Sequence, residues 1–248
     1  MPETNALRSG HETSFVPPAS PHRIRSRIGT DLAGGFYPAP HRYEVYLSPG
    51  CPNSLRVTIT LALLRLSDSI ATTLIASPGA TSDATASLRR AYEATWHHYD
   101  GPLTVPALCD RWSGRVVSNH TPDILRDLAV RLADPGEPSR PRLRPAALAA
   151  DIDAVHAFLA DLPAALAPLD AALAPLDARL ASGPFVLGGE LTAADVDLWV
   201  ALVYLDDRDA DAAPLAARYP RLAGYVRRLR SHPAFHRGLA LAAGQGGR

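Results

Sequence analysis

Lysine is absent from this 248-residue chain. All 25 basic residues are arginine, and 25 acidic residues balance them to a formal net charge of zero. A balanced chain has no electrostatic footprint for nucleic acid or for an anionic membrane, and neither is expected as a partner. The missing lysine, with the heavy use of Ala, Leu, Pro and Asp, reads as the codon bias of a GC-rich genome rather than as chemistry. Cysteine is scarce too, with only Cys51 and Cys109. Two thiols cannot build the disulfide framework of a small secreted scaffold and lack metal-ligand spacing, so no metal is expected. No apolar run is long enough for a membrane span, and the polar opening from Met1 to Ser14 does not read as a signal peptide. The expected location is the cytoplasm.

What is present is a pattern of short elements. Residues 1–35 hold several Pro, Gly, His and Arg without periodicity and are expected to form an irregular arm. Arg42-Tyr43-Glu44-Val45-Tyr46-Leu47 alternates and is rich in aromatic and β-branched residues, which predicts a strand. After the turn Ser48-Pro49-Gly50, apolar residues at 55, 59, 62, 63 and 66 have the spacing of an amphipathic helix. Thr72 to Ala76 fits a second strand. Residues 77–101 are polar and carry no predicted element. Leu103 to Cys109 and Gly114 to Ser118 read as two strands of a hairpin. Thr121-Pro122-Asp123 reads as a helix start, with Thr121 as the cap. These elements make a small α/β domain over 36–133. Residues 134–145 hold four prolines and have linker composition, and 146–248 is helical in pattern.

Within the helical part, Leu166-Ala167-Pro168-Leu169-Asp170-Ala171 recurs seven residues on as Leu173-Ala174-Pro175-Leu176-Asp177-Ala178. Two copies suit a core-facing stripe better than a coiled-coil seam, and Pro163, Pro168 and Pro175 should kink or interrupt it. Thr192-Ala193-Ala194-Asp195 has the form of a capping box and is a stability motif. Asp206 to Asp211 lacks the glycine and the bidentate glutamate of a calcium loop and reads as a solvated helix end. Tyr204, Tyr219 and Tyr225 fall on helical faces, Tyr204 being the one that could reach an interdomain cleft.

Cys51 stands where the first strand hands over to the first helix. Unpaired backbone N–H groups and the helix dipole favour a thiolate at such a position, and the thiolate is the nucleophile. Pro52 loses nothing at the first helical position. Asn53 and Ser54 lie in the same turn, within reach of the sulfur as donors. A buried, inert cysteine is the alternative that position alone leaves open. No second cysteine follows three residues on, so any redox cycle must be monothiol and completed by an external thiol. Cys109 ends an apolar strand and reads as packing. Val105-Pro106 places a proline early in a strand, at an edge or bend, where a cis bond would offer the Val105 backbone to a peptide-like ligand. His97-His98, between Trp96 and Tyr99, reads as a surface or interface turn, with a pocket role as the alternative.

The run Gly35-Phe36…Arg42-Tyr43-Glu44-Val45-Tyr46-Leu47-Ser48-Pro49-Gly50-Cys51-Pro52 resembles the glutathionyl-hydroquinone reductases, the Xi-class glutathione transferases. So do Leu103 to Asp110, Val116 to Ile124 and Gly188 to Leu198, spread over about residues 35–230. The resemblance implies a glutathione transferase fold, with a thioredoxin-like N-terminal domain and an all-helical C-terminal one. It implies Cys51 as the nucleophile that takes a thiol group off a quinol thioether, Pro106 as a cis-proline beside the thiol ligand, and a homodimer by analogy of fold.

The chain also departs from that pattern. The family motif continues Cys-Pro-Trp-Ala, but Asn53 and Ser54 stand here. Its Glu-Ser pair, which holds the γ-glutamyl end of glutathione, is matched by His120 and Thr121. A ligand ammonium would then be left unpaired, so the co-substrate is expected to be glutathione or another small thiol. Mycothiol would suit if the source is an actinomycete, as the codon bias hints. Cys51, Asn53, Ser54, Val105, Pro106, His120 and Thr121 are the candidate site for a small-molecule substrate. The rival functions are a thiol-adding transferase or isomerase, and a non-catalytic binding protein.

Overall fold

The computed structural model describes residues 22–29, 35–76, 82–134, 136–137, 139–161, 169–206 and 215–242. Its first half is built on a four-stranded sheet of β1 (Tyr43–Leu47), β2 (Ala71–Leu74), β3 (Ala107–Asp110) and β4 (Arg115–Ser118) in the order β2-β1-β3-β4. β2 runs parallel to β1, which requires a crossover, and that crossover is α1 (Pro52–Leu63). β3 is antiparallel to both β1 and β4. α2 (Asp83–Thr95) and α3 (Thr121–Asp127) complete a thioredoxin-like domain, and α3 continues into a wider π-type turn over Leu128–Leu132.

The period of two in the strands divides the core between the two faces of the sheet. Tyr43, Val45, Leu47, Leu108 and Val117 face α1, α3 and the helical half. Tyr46, Ala107, Cys109 and Val116 face α2, with Leu88, Ala91 and Tyr92. α2 has no counterpart in the sequence reading, although its signals are present. Ser82 caps it by accepting the Thr85 amide at 3.1 Å, and Asp83 sits in its first turn. The strand expected from Leu103 begins only at Ala107: Val105 and Pro106 form a bend, and the Thr104 carbonyl accepts from the Tyr92 hydroxyl of α2 at 3.0 Å. The cap of α3 is His120 rather than Thr121, which is already helical.

Residues 22–29, expected to be irregular, are tied to the sheet. Ile24 and Ile28 are buried, and Arg25 bridges antiparallel to Ser118. Asn119 locks this segment from both sides: its Oδ1 accepts the Ile24 amide at 2.8 Å and its own amide donates to the Ile24 carbonyl at 3.1 Å. The alternation Arg23-Ile24-Arg25…Arg27-Ile28 carried this information.

The second half is helical: α4 (Ala149–Asp161), α5 (Leu169–Arg179), α6 (Ala193–Asp206), α7 (Leu215–Arg218), α8 (Pro220–Arg230) and α9 (Pro233–Ala242). α6 lies at its centre. Leu198, Trp199 and Val200 have no exposed surface, and the Trp199 indole donates to the Val226 carbonyl at 3.1 Å. The capping box forms in altered form. The Thr192 amide donates to the Asp195 carboxylate as expected, but the Thr192 hydroxyl donates to the same carboxylate instead of accepting the Asp195 amide. Val186 and Tyr225 complete the carboxylate's shell. Pro175 stands inside α5, which runs on past it, and Leu173 and Leu176 are buried. Leu166, Pro163, Pro168 and residues 207–211 lie outside the described residues. Among the described residues no helix is long and apolar enough to cross a membrane.

α1 is sandwiched between the sheet and the helical half, so it is apolar nearly all round, with Leu55, Val57, Ile59, Leu61 and Leu63 buried. Gly238 lets α9 approach it closely. A Cβ there would lie 2.8 Å from Ile59 Cγ1 and 3.0 Å from Leu55 Cδ1.

Candidate functional site

Three chain segments meet at one end of the sheet, and the strand register puts them there. β1 ends at Leu47 and turns through Ser48-Pro49-Gly50, where Gly50 has φ +72°, a conformation that only glycine adopts freely. Tyr46 pairs with Ala107, so Pro106 and Val105, just before β3, lie beside that turn, and the bond between them is cis. Leu108 pairs with Ser118, so the end of β4 and the start of α3, with His120 and Thr121, come to the same end. All seven sequence-predicted residues therefore belong to one end of the domain.

Cys51 is the residue that precedes α1. Its backbone is extended (φ −87°, ψ 120°), its carbonyl accepts the Leu55 amide at 3.0 Å, and its side chain makes no capping hydrogen bond. Cys51 is half-buried and forms no disulfide. The hydrogen bonds of Asn53 and Ser54 run elsewhere than to the sulfur. Ser54 Oγ accepts the Ser48 amide at 3.0 Å and so closes the turn that carries Cys51. Asn53 Oδ1 accepts from Arg56 Nη1 at 3.1 Å. Cys109 belongs to the α2-side core, where burial pushes its thiol well up, as expected of a packing residue.

Arg56 leads from the thiol turn into the helical half. Its Nε lies 3.3 Å from Asp197 Oδ1 on α6, and Asp197 Oδ2 lies 3.1 Å from His156 Nδ1 on α4. This chain of contacts links Asn53, two residues from the sulfur, to α4 and α6. It is invisible in sequence because Arg56, His156 and Asp197 each lie 41 or more residues from one another.

The start of α3 is dense with charge. His120 Nδ1 lies 2.9 Å from Asp123 Oδ2, and Arg25 grips the same carboxylate through Nε (2.7 Å) and Nη2 (3.2 Å). Burial alone would raise the Asp123 carboxyl, but the hydrogen bonds from Arg25 and His120 outweigh it and hold it below its usual range. Burial pushes the His120 imidazole down, against the opposing pull of Asp123. One turn on, fully buried Asp127 accepts from the Ile28 amide at 3.0 Å and from Arg27. Arg25, Arg27 and Asn119 are the residues here that the sequence reading missed.

At the opposite end of the sheet Arg42 forms a bidentate pair with Asp110 (2.8 and 2.9 Å), with Tyr37 and Trp112 stacked over the guanidinium. Trp96, Tyr99 and His22 form an aromatic cluster beside α2, with His97 and His98 exposed. Tyr204 is half-buried on α6. No group of three or more metal-ligating side chains occurs among the described residues.

A thioredoxin-like half joined to a helical half through α1 is the glutathione transferase fold. Residues 137–228 match the family model of the glutathione S-transferase C-terminal domain. Among curated proteins the chain is similar to the glutathionyl-hydroquinone reductase YqjG of Escherichia coli, 28% identical over 211 residues. That match covers 72% of this chain and 64% of YqjG, a little under two thirds of the relative's length. The solved glutathione transferase Xi of Phanerochaete chrysosporium superposes with a TM-score of 0.75 at 26% identity, covering 90% of this chain and 89% of that one. The glutathione-bound structure of YqjG gives 0.71 at 26% identity, covering 88% and 84%. The chain is thus similar, in fold and at 26–28% sequence identity, to the Xi-class glutathione transferases.

Proposed function

We propose that this protein is a cysteine-dependent thiol transferase or reductase acting on thioether conjugates or small electrophiles, with Cys51 as nucleophile. The observation that carries this reading is half-buried Cys51 at the mouth of α1, whose side chain makes no capping hydrogen bond, at the end of the sheet where Val105-Pro106 and the α3 start converge. In the first step the Cys51 thiolate attacks the thioether sulfur of a quinol conjugate. The S–S bond forms, the S–C(aryl) bond breaks, and its electron pair with one proton forms the C–H bond of the released quinol. A second small thiol then displaces the first from Cys51, giving a free disulfide and restoring the cysteine. The aryl carbon is reduced by two electrons, and the two thiols are oxidised.

The α3 start bears on which thiol is used. Its carboxylate, Asp123, is already held by Arg25 and His120. Among the described residues an ammonium brought here finds no free carboxylate, and leaving it unpaired costs several kcal/mol, or roughly a thousandfold or more in affinity. A thiol without a free ammonium, such as mycothiol, fits this cluster better than glutathione. Turnover of a bromobimane or quinol conjugate of each thiol, measured side by side, tests the choice. Efficient use of the glutathione conjugate sinks the mycothiol assignment.

The rival activity, a transferase or isomerase that adds a thiol to an electrophile, uses the same sulfur in the opposite direction and would be recognised by a product with a new C–S bond. A non-catalytic binding protein would show itself by the pH profile of iodoacetamide labelling: an inflection well below the free-thiol range supports catalysis, and an ordinary one supports binding only. A cytoplasmic homodimer with a domain boundary at 134–145 is part of the same proposal. Sedimentation of the full chain checks its assembly.

A further inference from the structure

The helical half carries a feature that the thiol chemistry does not use. Residues 215–242 contain six arginines and no acidic residue, in a chain whose charges cancel overall. α8 buries Leu222, Tyr225 and Leu229 and turns Arg221, Arg227, Arg228 and Arg230 outward. Among the described residues only Arg221 of these four meets a carboxylate, Asp177 Oδ2 at 3.2 Å. That carboxylate is also committed to α8 itself, because its Oδ1 accepts the amides of Arg221 and Leu222 at 2.9 Å each.

Beside this face lies a cavity of about 390 Å³ lined by Leu180, Gly183, Arg221, Gly224, Tyr225 and Arg228. Arg221 and Arg228 are seven residues apart, so they share one side of the helix at an axial spacing of about 10 Å. Between them Gly224 leaves the floor open, since nothing lies within 4 Å of where its Cβ would be. The opposite wall is rigid backbone: a Cβ on Gly183 would lie 2.9 Å from the Gly188 carbonyl. Arg228 is positioned by the Pro184 carbonyl, which fixes the guanidinium without neutralising it, and it lies 5.6 Å from the Tyr225 ring centre. None of the lining residues belongs to the Cys51 end of the sheet.

We propose that this cavity is a second ligand site, for a small molecule with two anionic groups joined by a short apolar body. Arg221 and Arg228 take the two anionic ends, and Leu180, Tyr225 and the open floor at Gly224 take the body. Guanidinium–carboxylate and guanidinium–phosphate contacts are charge-assisted, so carboxylate and phosphate ligands both satisfy the site. The proposal is independent of the reaction assigned to Cys51.

Isothermal titration of the full chain with azelate, a nine-carbon dicarboxylate, and with hexane-1,6-diyl bisphosphate, two phosphates on an apolar six-carbon chain, tests it and tells the two anion chemistries apart. Saturable one-to-one binding of either is expected. Arg228→Gln or Arg221→Gln should weaken it roughly tenfold or more, while Arg227→Gln, on the same helix but outside the cavity, should not. Gly224→Leu changes no charge and fills the floor with a better helix former, so it should abolish binding while keeping the fold. Failure of both probes to bind overturns the proposal. So does equal weakening by Arg227→Gln, which would mean diffuse charge attraction, or unchanged binding in Gly224→Leu.

Discussion

The starts of α1 and α3 are built alike and loaded in opposite ways. Both follow a strand, both have a proline within the first two helical positions, and in neither does the residue before the helix cap it with its side chain. α3 has Asp123 in its first turn, with Asp127 one turn later, and the N-terminal segment brings Arg25 and Arg27 to meet them. Its positive end is neutralised from within the chain. α1 has no acidic residue in its first turn, and the side chain at its mouth is a thiol. Its positive end is left to whatever charge the sulfur takes. One helix start secures a segment of the fold, and the other is the one we propose for chemistry.

The largest expected effect falls on the second of these. Cys51→Ser should lower turnover of a thioether conjugate by about a thousandfold or more with little change in stability, because the hydroxyl is far less acidic and nucleophilic than the thiol. Turnover that survives the change would place the chemistry elsewhere. The first helix start is broken by Asp127→Ala, which strips the Ile28 amide and Arg27 of their buried partner. Urea unfolding should show a loss of about 3 kcal/mol. The thiol labelling rate of the folded protein should hardly move, which separates structural load from reactivity.

Gly238→Ala touches α1 from behind, where the new methyl would crowd Ile59 and Leu55. Helix propensity would favour alanine, so a net loss of about 1–2 kcal/mol in thermal or urea unfolding would show that close packing dominates.

The smallest effect is the pH response of the α3 start. His120 has a folded pKa pushed below its unfolded value by burial, so the unfolded chain binds the proton first and stability falls as pH drops below about 6.5. Asp123 and Asp110 are held down by their arginine partners against the cost of burial. Their contribution is complete above the ordinary carboxylate range and is lost as pH falls through about 4 and below. His120→Gln should flatten the upper part of this profile and weaken only the Asp123 share of the lower part, leaving that of Asp110 in place. Unfolding free energies from pH 3 to 8 check both.

Legibility in the sequence followed distance along the chain. β1, α1, the cysteine between them and the Thr192–Asp195 cap were readable, because strand alternation, helical spacing and capping all act within a few residues. α2 escaped because its signal, a Ser-Asp start and one apolar stripe, lies in a polar stretch. The arm at 22–29 escaped because its two isoleucines and three arginines take their meaning from Asn119, Asp123 and Asp127, about 100 residues away.

By itself, then, the sequence determined a strand delivering a cysteine to a helix mouth, an excess of arginine without acid over 215–242, and a helical second half. Only the tertiary structure decided that Asp123 is already occupied, that Arg56 joins the thiol turn to Asp197, and that Arg221 and Arg228 border an open cavity. Local backbone preferences are written in neighbouring residues. The pairing of buried charges and the shape of the space between helices depend on which distant segments the fold brings together.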